Sequence, residues 1–258
     1  MRKVSIVSTK GGTGKTTTVH NLAAAISRLR RVDASIPVHE ARRNSVLMID
    51  LDPQSNLSFI TETFGDGASI YDVMTGYASW EEAREGIGER VDIIPGDRRL
   101  MRFNRSRKYL FQLRSSLRDL SDYDFVLVDC PPSLGYLTQA ALVMTGEFFL
   151  PLQTEYLAMR NVVELMKEVR KLRQQTRRVK LSGIILSLYN TRRRISVEGR
   201  GMIEEHFGKL VFNTAIRNTV AITEAAAQHK DVLAYRSKSP GALDFLSLAR
   251  EVLKQTWN

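Results

Sequence analysis

The sequence predicts an α/β fold, a mostly parallel twisted sheet covered by helices on both faces. Three observations predict it. Short apolar runs recur at wide spacing, at 46–49, 125–128, 148–152 and 184–188, and each is nearly continuous rather than alternating, as strands covered on both sides require. Segments of helical periodicity lie between them, most clearly over 155–175, where Val162, Leu165, Met166, Val169 and Leu172 fall on one stripe. Near the start, a glycine-rich stretch separates a short strand from a helix. Strand and helix in alternation build a parallel sheet with right-handed crossovers.

The elements follow in order. Val4-Ser5-Ile6-Val7-Ser8 is the first strand, and 17–30 is a helix with Val19, Leu22, Ala23, Ile26 and Leu29 at helical spacing. Between them runs STKGGTGKTTT, residues 8–18. The segment 30–44 is polar and basic with Pro37 inside it, a surface excursion before the second strand. That strand ends in MIDLDPQSN, which puts Asp50 and Asp52 just past the apolar run. YDFVLVDCPPS does the same for Asp129, with Pro131 and Pro132 stiffening the turn beyond it. Helices are expected at 135–144, 155–175 and 239–254. Without repeats, low-complexity tracts or a linker, the chain reads as one domain over 1–258.

The stretch 8–18 is a phosphate-binding loop with an altered opening. The closing Gly14, Lys15 and Thr16 of the usual pattern are present, but Thr9 stands where the first glycine belongs, and a second lysine, Lys10, follows it. Gly11, Gly12 and Gly14 let the backbone curl, so that the N–H groups from Gly11 through Gly14, Thr13 included, aim at oxygen. Lys15 reaches the β- and γ-phosphates of a nucleotide and the Thr16 hydroxyl holds Mg²⁺. The helix that follows supplies its N-terminal N–H groups and dipole. Ligands of open α/β sheets bind at the carboxyl ends of strands, so Asp50, Asp52 and Asp129 face those phosphates. Asp129 is the Mg²⁺-associated acid. Two acids remain candidates for orienting a hydrolytic water, and spacing alone does not choose between them.

Composition narrows the partners. With 43% hydrophobic and 26% charged residues the chain is an ordinary globular protein. It has no apolar run of the roughly 18 residues a membrane span needs, and it enters its first strand without a secretory signal. Cys130 is the single cysteine, which fits a reducing compartment. It also excludes the iron–sulfur proteins that share a lysine-bearing loop, because a dimer would offer only two thiolates. The histidines, at 20, 39, 206 and 229, are too scattered for a metal site. The net charge of +10 is concentrated: 98–118 holds eight Lys/Arg and no Asp/Glu, and 160–218 holds fourteen against five. Clustered positive charge points to a polyanion.

KGGTGKTTT, DLDPQSN and VDCPPSLG together resemble the ParA/Soj class of deviant Walker A ATPases, relatives of MinD within the P-loop NTPases. The stretch IRNTVAITEAAAQHKDVLAYRSKSPGALDFLSLAREV extends the likeness to the C-terminus, with the excursion at 30–44 as the main departure. The resemblance implies a partner-stimulated, Mg²⁺-dependent ATPase that forms a homodimer on ATP. Lys10 would then cross to the neighbouring subunit's nucleotide while Lys15 serves its own. It assigns Asp52 to the hydrolytic water, Asp50 to the vicinity of the Mg²⁺ shell, Thr17 to a phosphate and Asn190 to adenine. It further implies DNA binding without sequence preference, with Arg192, Arg193, Arg194, Arg200 and Arg217 as candidates, and a cytoplasmic, nucleoid-associated life with a ParB-like adaptor. The cargo implied is a plasmid or chromosome, or alternatively a protein assembly such as a carboxysome or chemotaxis cluster. No N-terminal helix-turn-helix extension precedes the first strand, so repression at a specific operator is not expected. MinD-like members bind membranes through a C-terminal amphipathic helix. Here the stripe Leu243, Phe245, Leu246, Leu248, Ala249, Val252 and Leu253 reads instead as core packing.

Overall fold

The structure is a computed structural model that describes residues 1–30, 42–63, 67–103, 110–155, 158–174, 176 and 179–255. Among the described residues, seven strands form one sheet: β1 (Arg2–Ile6), β2 (Val46–Asp50), β3 (Glu85–Gly88), β4 (Val91–Ile94), β5 (Phe125–Asp129), β6 (Glu147–Leu152) and β7 (Lys180–Leu186). Their spatial order is β3-β4-β2-β5-β1-β6-β7. Every pairing is parallel except β3 with β4. The helices are α1 (Lys15–Arg28), α2 (Asn56–Ile60), α3 (Ile70–Thr75), α4 (Trp80–Ala83), α5 (Gln112–Ser116), α6 (Tyr136–Thr145), α7 (Ala158–Arg173), α8 (Arg194–Phe207), α9 (Val220–Ala227), α10 (Val232–Arg236) and α11 (Pro240–Lys254).

The continuous apolar runs explain the two layers. Every residue of β2, β5 and β6 is buried, and strand geometry sends alternate side chains to opposite faces. Leu47, Ile49, Val126 and Val128 join the core under α3, α6 and α7. Val46, Met48, Phe125 and Leu127 join the core under α1, α10 and α11. Ile6 pairs with Asp129 and Asp50 pairs with Asp129, so the carboxyl ends of β1, β2 and β5 stand level. Successive strands go to opposite sides of β1, which opens a crevice at its end.

The last helix belongs to the core. Its start is set locally: Ser239 accepts from the Ala242 N–H and Pro240 occupies the first turn. Phe245, Leu248, Ala249 and Val252 are buried in the same core as α1, each contributing about 1–3 kcal/mol by burial. The Arg2 guanidinium pins the far end, donating to Glu147 at 3.1 Å, the Val252 carbonyl at 3.0 Å and Gln255 at 2.8 Å. Leu243 stands outside this face and is exposed. Among the described residues no helix is long and apolar enough to cross a membrane.

Two strands escape the sequence pattern. β3 carries two glycines in four residues, half exposed, on an antiparallel edge, and β4 is only four residues with Asp92 inside it. The last strand also stops at Leu186 rather than 188. Leu188 adopts φ 50° and turns outward, exposed. At the base of the excursion Arg30 and Arg43 form an antiparallel bridge; 31–41 lie outside the described residues.

Candidate nucleotide site

The loop after β1 turns into α1 through two left-handed glycines, Gly12 (φ 70°) and Gly14 (φ 82°). A residue with a Cβ is strained at such angles. Among the described residues, a Cβ at Gly11, Gly12 or Gly14 would meet no other segment within 4 Å, so nothing packs against the loop at these positions. Gly14 caps α1 with no side-chain hydrogen bond, and the first turn contains no acid. The N-terminus of a fourteen-residue helix is therefore left to an anion. Thr13 and Lys15 are buried, and Thr16 and Thr17 half-buried.

Around Lys15 the structure gathers Asp50, Asp52 and Asp129, all buried. Thr16 Oγ1 donates to Asp129 Oδ2 at 2.6 Å. Among the described residues, Asp129 Oδ1 is buried with no partner. Burial, then the charge of Asp50, pushes the Asp129 carboxyl well above its usual range, while Thr16 and Lys15 pull it down. An unpartnered carboxylate oxygen beside a threonine hydroxyl, in a site with excess negative charge, fits a hard divalent cation that takes oxygen ligands. Thr16 and Asp129 are the residues that would hold it.

Asp50 stands level with Asp129 on the neighbouring strand, and its oxygens are engaged by the chain. Its Oδ1 accepts from the Asp52 N–H at 3.2 Å, and its Oδ2 accepts from the Ser58 N–H at 2.9 Å and Ser58 Oγ at 2.7 Å. Burial pushes its carboxyl up to about 6 against those bonds. Both oxygens thus hold the segment that follows β2, and Ser58 Oγ in turn accepts from the Gly96 N–H at 2.7 Å. A Cβ at Gly96 would lie 2.8 Å from Asp50 Cγ, so only glycine fits there. Among the described residues Asp52 Oδ1 accepts only from the Gln54 N–H, at 3.0 Å, closing a local turn.

Lys10 and Lys15 have opposite surroundings. Lys15 is buried. Lys10 lies on the rim, where Nζ donates to Glu155 Oε2 at 2.7 Å and Gln153 Oε1 at 3.3 Å. Gln153 Nε2 also donates to the Gly12 carbonyl at 3.0 Å, tying the end of β6 to the loop. The sequence pattern singles out neither Gln153 nor Glu155; the nearest signal is PLQTEY just past a buried strand.

A cavity of about 220 Å³ opens beside the α1 N-terminus, between Gly14, Thr17 and Thr18 and the loops after β7 and before α9. Ser187, Asn218 and Thr219 line it, and among the described residues Ser187 Oγ and Thr219 Oγ1 are buried without partners. Asn190 is not among the lining residues; its Oδ1 accepts from the Arg192 N–H at 2.9 Å.

The five candidate arginines divide into two groups. Arg192, Arg193 and Arg194 are exposed on the turn that opens α8, with Arg194 paired to Glu198 at 2.6 Å. Among the described residues, Arg192 and Arg193 form no ion pair. Arg200 is held by Glu204 at 2.7 Å and the Asn213 carbonyl at 3.2 Å. Arg217 forks onto the buried Asp244 at 2.7 and 2.9 Å and reaches the Pro240 carbonyl at 3.3 Å. These two are bound to the fold. Cys130 is fully buried, and burial pushes its thiol up, as for a small packing residue.

Comparison with known proteins agrees with this geometry. Residues 1–182 match the AAA domain family model. The chain is 32% identical to the chromosome partitioning protein ParA of Caulobacter vibrioides, covering 99% of this chain and 95% of that one. It is 33% identical to the chromosome-partitioning ATPase Soj of Thermus thermophilus, covering 98% and 96%. The septum site-determining protein MinD of Pyrococcus horikoshii, solved with Mg-ADP, superposes with a TM-score of 0.79 at 26% identity over 98% of this chain and 96% of that one. An altered phosphate loop with a lysine at each end, on a sheet shared with such relatives, places this chain in the ParA/Soj family of chromosome-partitioning ATPases.

Proposed function

We propose that this chain is an ATP-hydrolysing switch that pairs with a second copy over ATP, binds DNA without reading its sequence, and releases it on hydrolysis to move a plasmid or chromosome. The observation that carries this reading is the position of Lys10. Lys15 already supplies the cation inside the loop, and Lys10 points to the rim, where it is half exposed and paired with an exposed glutamate. Such an ion pair contributes only about 0–1 kcal/mol, so it is readily exchanged for a triphosphate on a facing subunit. A buried polyanion without compensation is costly, and a lysine from the partner supplies that compensation only when two ATP-loaded chains meet. ADP, lacking the γ-phosphate, gives it less to hold.

Within each chain the backbone of 11–14 and Lys15 orient the phosphates, Thr16 and Asp129 hold Mg²⁺, and Asp52 aims the attacking water. Mg²⁺ supplies neutralisation of the β- and γ-oxygens. A partner protein raises a slow basal turnover. The test is sedimentation with and without ATP. Lys10→Ala is expected to keep ATP binding and to lose the ATP-dependent dimer. A variant that dimerises on ATP as the parent does overturns the reading.

Arg192, Arg193 and Arg194 lie where a helix dipole disfavours cations, and a DNA phosphate would offset that. Replacing all three with alanine is expected to weaken DNA binding equally across sequences and to lower the salt slope by about 1 for each phosphate no longer neutralised. An unchanged slope moves the DNA surface elsewhere on the chain.

A further inference from the structure

A second cavity, of about 300 Å³, lies far from the phosphate loop. It opens along the C-terminal half of α1, against the β3–β4 turn and the turn between α9 and α10. Ala24, on its wall, is about 14 Å along the helix axis from Lys15. The volume is at the lower end for small-molecule sites. Ala24, Ile87, Val91 and Ala234 give it an apolar side. His20, also on the wall, is 7% exposed, and among the described residues its imidazole has no hydrogen-bond partner. Burial pushes its pKa down to about 4, with Asp231 raising it and Arg28 lowering it. The ring is therefore neutral at pH 7 and offers one donor and one acceptor.

The charged lining is positive on balance. Arg28 is paired with Asp231 at 3.0 Å and Arg43 with Glu89 at 2.7 Å. Lys230 is exposed and makes no ion pair among the described residues. His229, also on the lining, shares Nδ1 with the Phe59 carbonyl at 3.1 Å. No cluster of three metal-ligating side chains occurs among the described residues. We infer that this cavity is a second ligand site, for a small organic anion whose apolar body lies on the Ala24 side, whose polar edge meets His20, and whose charge meets Lys230 and Arg43. It is separate from the nucleotide site and from the pairing proposed above, but shares α1 with the phosphate loop.

The chain has four histidines, so histidine labelled with ¹³C at Cε1 gives a spectrum simple enough to read this site directly. His20 is assigned by elimination with His39→Gln, His206→Gln and His229→Gln. Two probes separate the sources of negative charge: adenosine 5′-monophosphate for a phosphate ester and citrate for a carboxylate. At least one is expected to shift the His20 signal saturably with a midpoint near or below about 1 mM, leaving His206 unmoved. Lys230→Ala, at an exposed position, and Ala24→Leu, which fills the wall, are each expected to raise that midpoint about tenfold. A His20 signal unmoved by both probes to about 10 mM, or a midpoint indifferent to both substitutions, overturns the site. Neither result depends on dimerisation or turnover.

Discussion

Replacing Lys15 with alanine is expected to abolish ATP binding, with affinity falling by at least about 100-fold, or roughly 3 kcal/mol. The size of the effect follows from the surroundings. Lys15 is buried beside the carboxylates Asp50 and Asp129, and it is the cation that lets several phosphate oxygens enter a site already negative. Without it the incoming charge meets buried acids with no counter-ion, and a broken buried pair is among the more destabilising changes a protein can suffer. Equilibrium binding of a fluorescent ATP analogue reads the result, with circular dichroism to establish that the variant is folded. Near-parental affinity in a folded variant would remove the loop from the proposal.

Asp52→Ala is the second large effect, and its sign differs between binding and turnover. ATP binding should persist, because among the described residues the Asp52 carboxylate accepts a hydrogen bond only from the Gln54 N–H. Hydrolysis should fall by about 10²–10⁴, the usual contribution of a positioned acid–base group. The ATP-bound dimer then accumulates and stays on DNA. Single-turnover hydrolysis and DNA retention on a filter measure the two halves independently. Parental turnover would move the water-orienting role elsewhere, and Asp50 is a poor substitute because both its oxygens are already engaged.

The parts of this molecule that can be read from the sequence are those whose chemistry lies within one short segment. The glycines, Lys15 and Thr16 are contiguous, and the continuous runs that form β2, β5 and β6 announce burial on both faces without any knowledge of contacts. Asp52 and Asp129 stand out because each closely follows such a run. What cannot be read depends on distant partners. Gln153 and Glu155 meet the loop across more than 140 residues. Gly96 is 38 residues from Ser58, and nothing in PGD signals that its backbone must press on a carboxylate. Arg217 forks onto Asp244, 27 residues on, a pairing that charge counting does not see. Charge counting locates the basic regions but does not separate arginines committed to the fold from those facing outward. β3 goes unseen because an edge strand this short carries little hydrophobic pattern, and β4 because it is only four residues with Asp92 inside it.

The Asp50–Ser58–Gly96 contact has a mechanical consequence. Ser58 Oγ accepts a hydrogen bond from the Gly96 N–H and donates one to Asp50, and no side-chain volume separates Gly96 from that carboxylate. The segment that carries Asp52 is therefore geared to the tip of β4, and Ser58 cannot shift without dragging that tip or severing a buried bond.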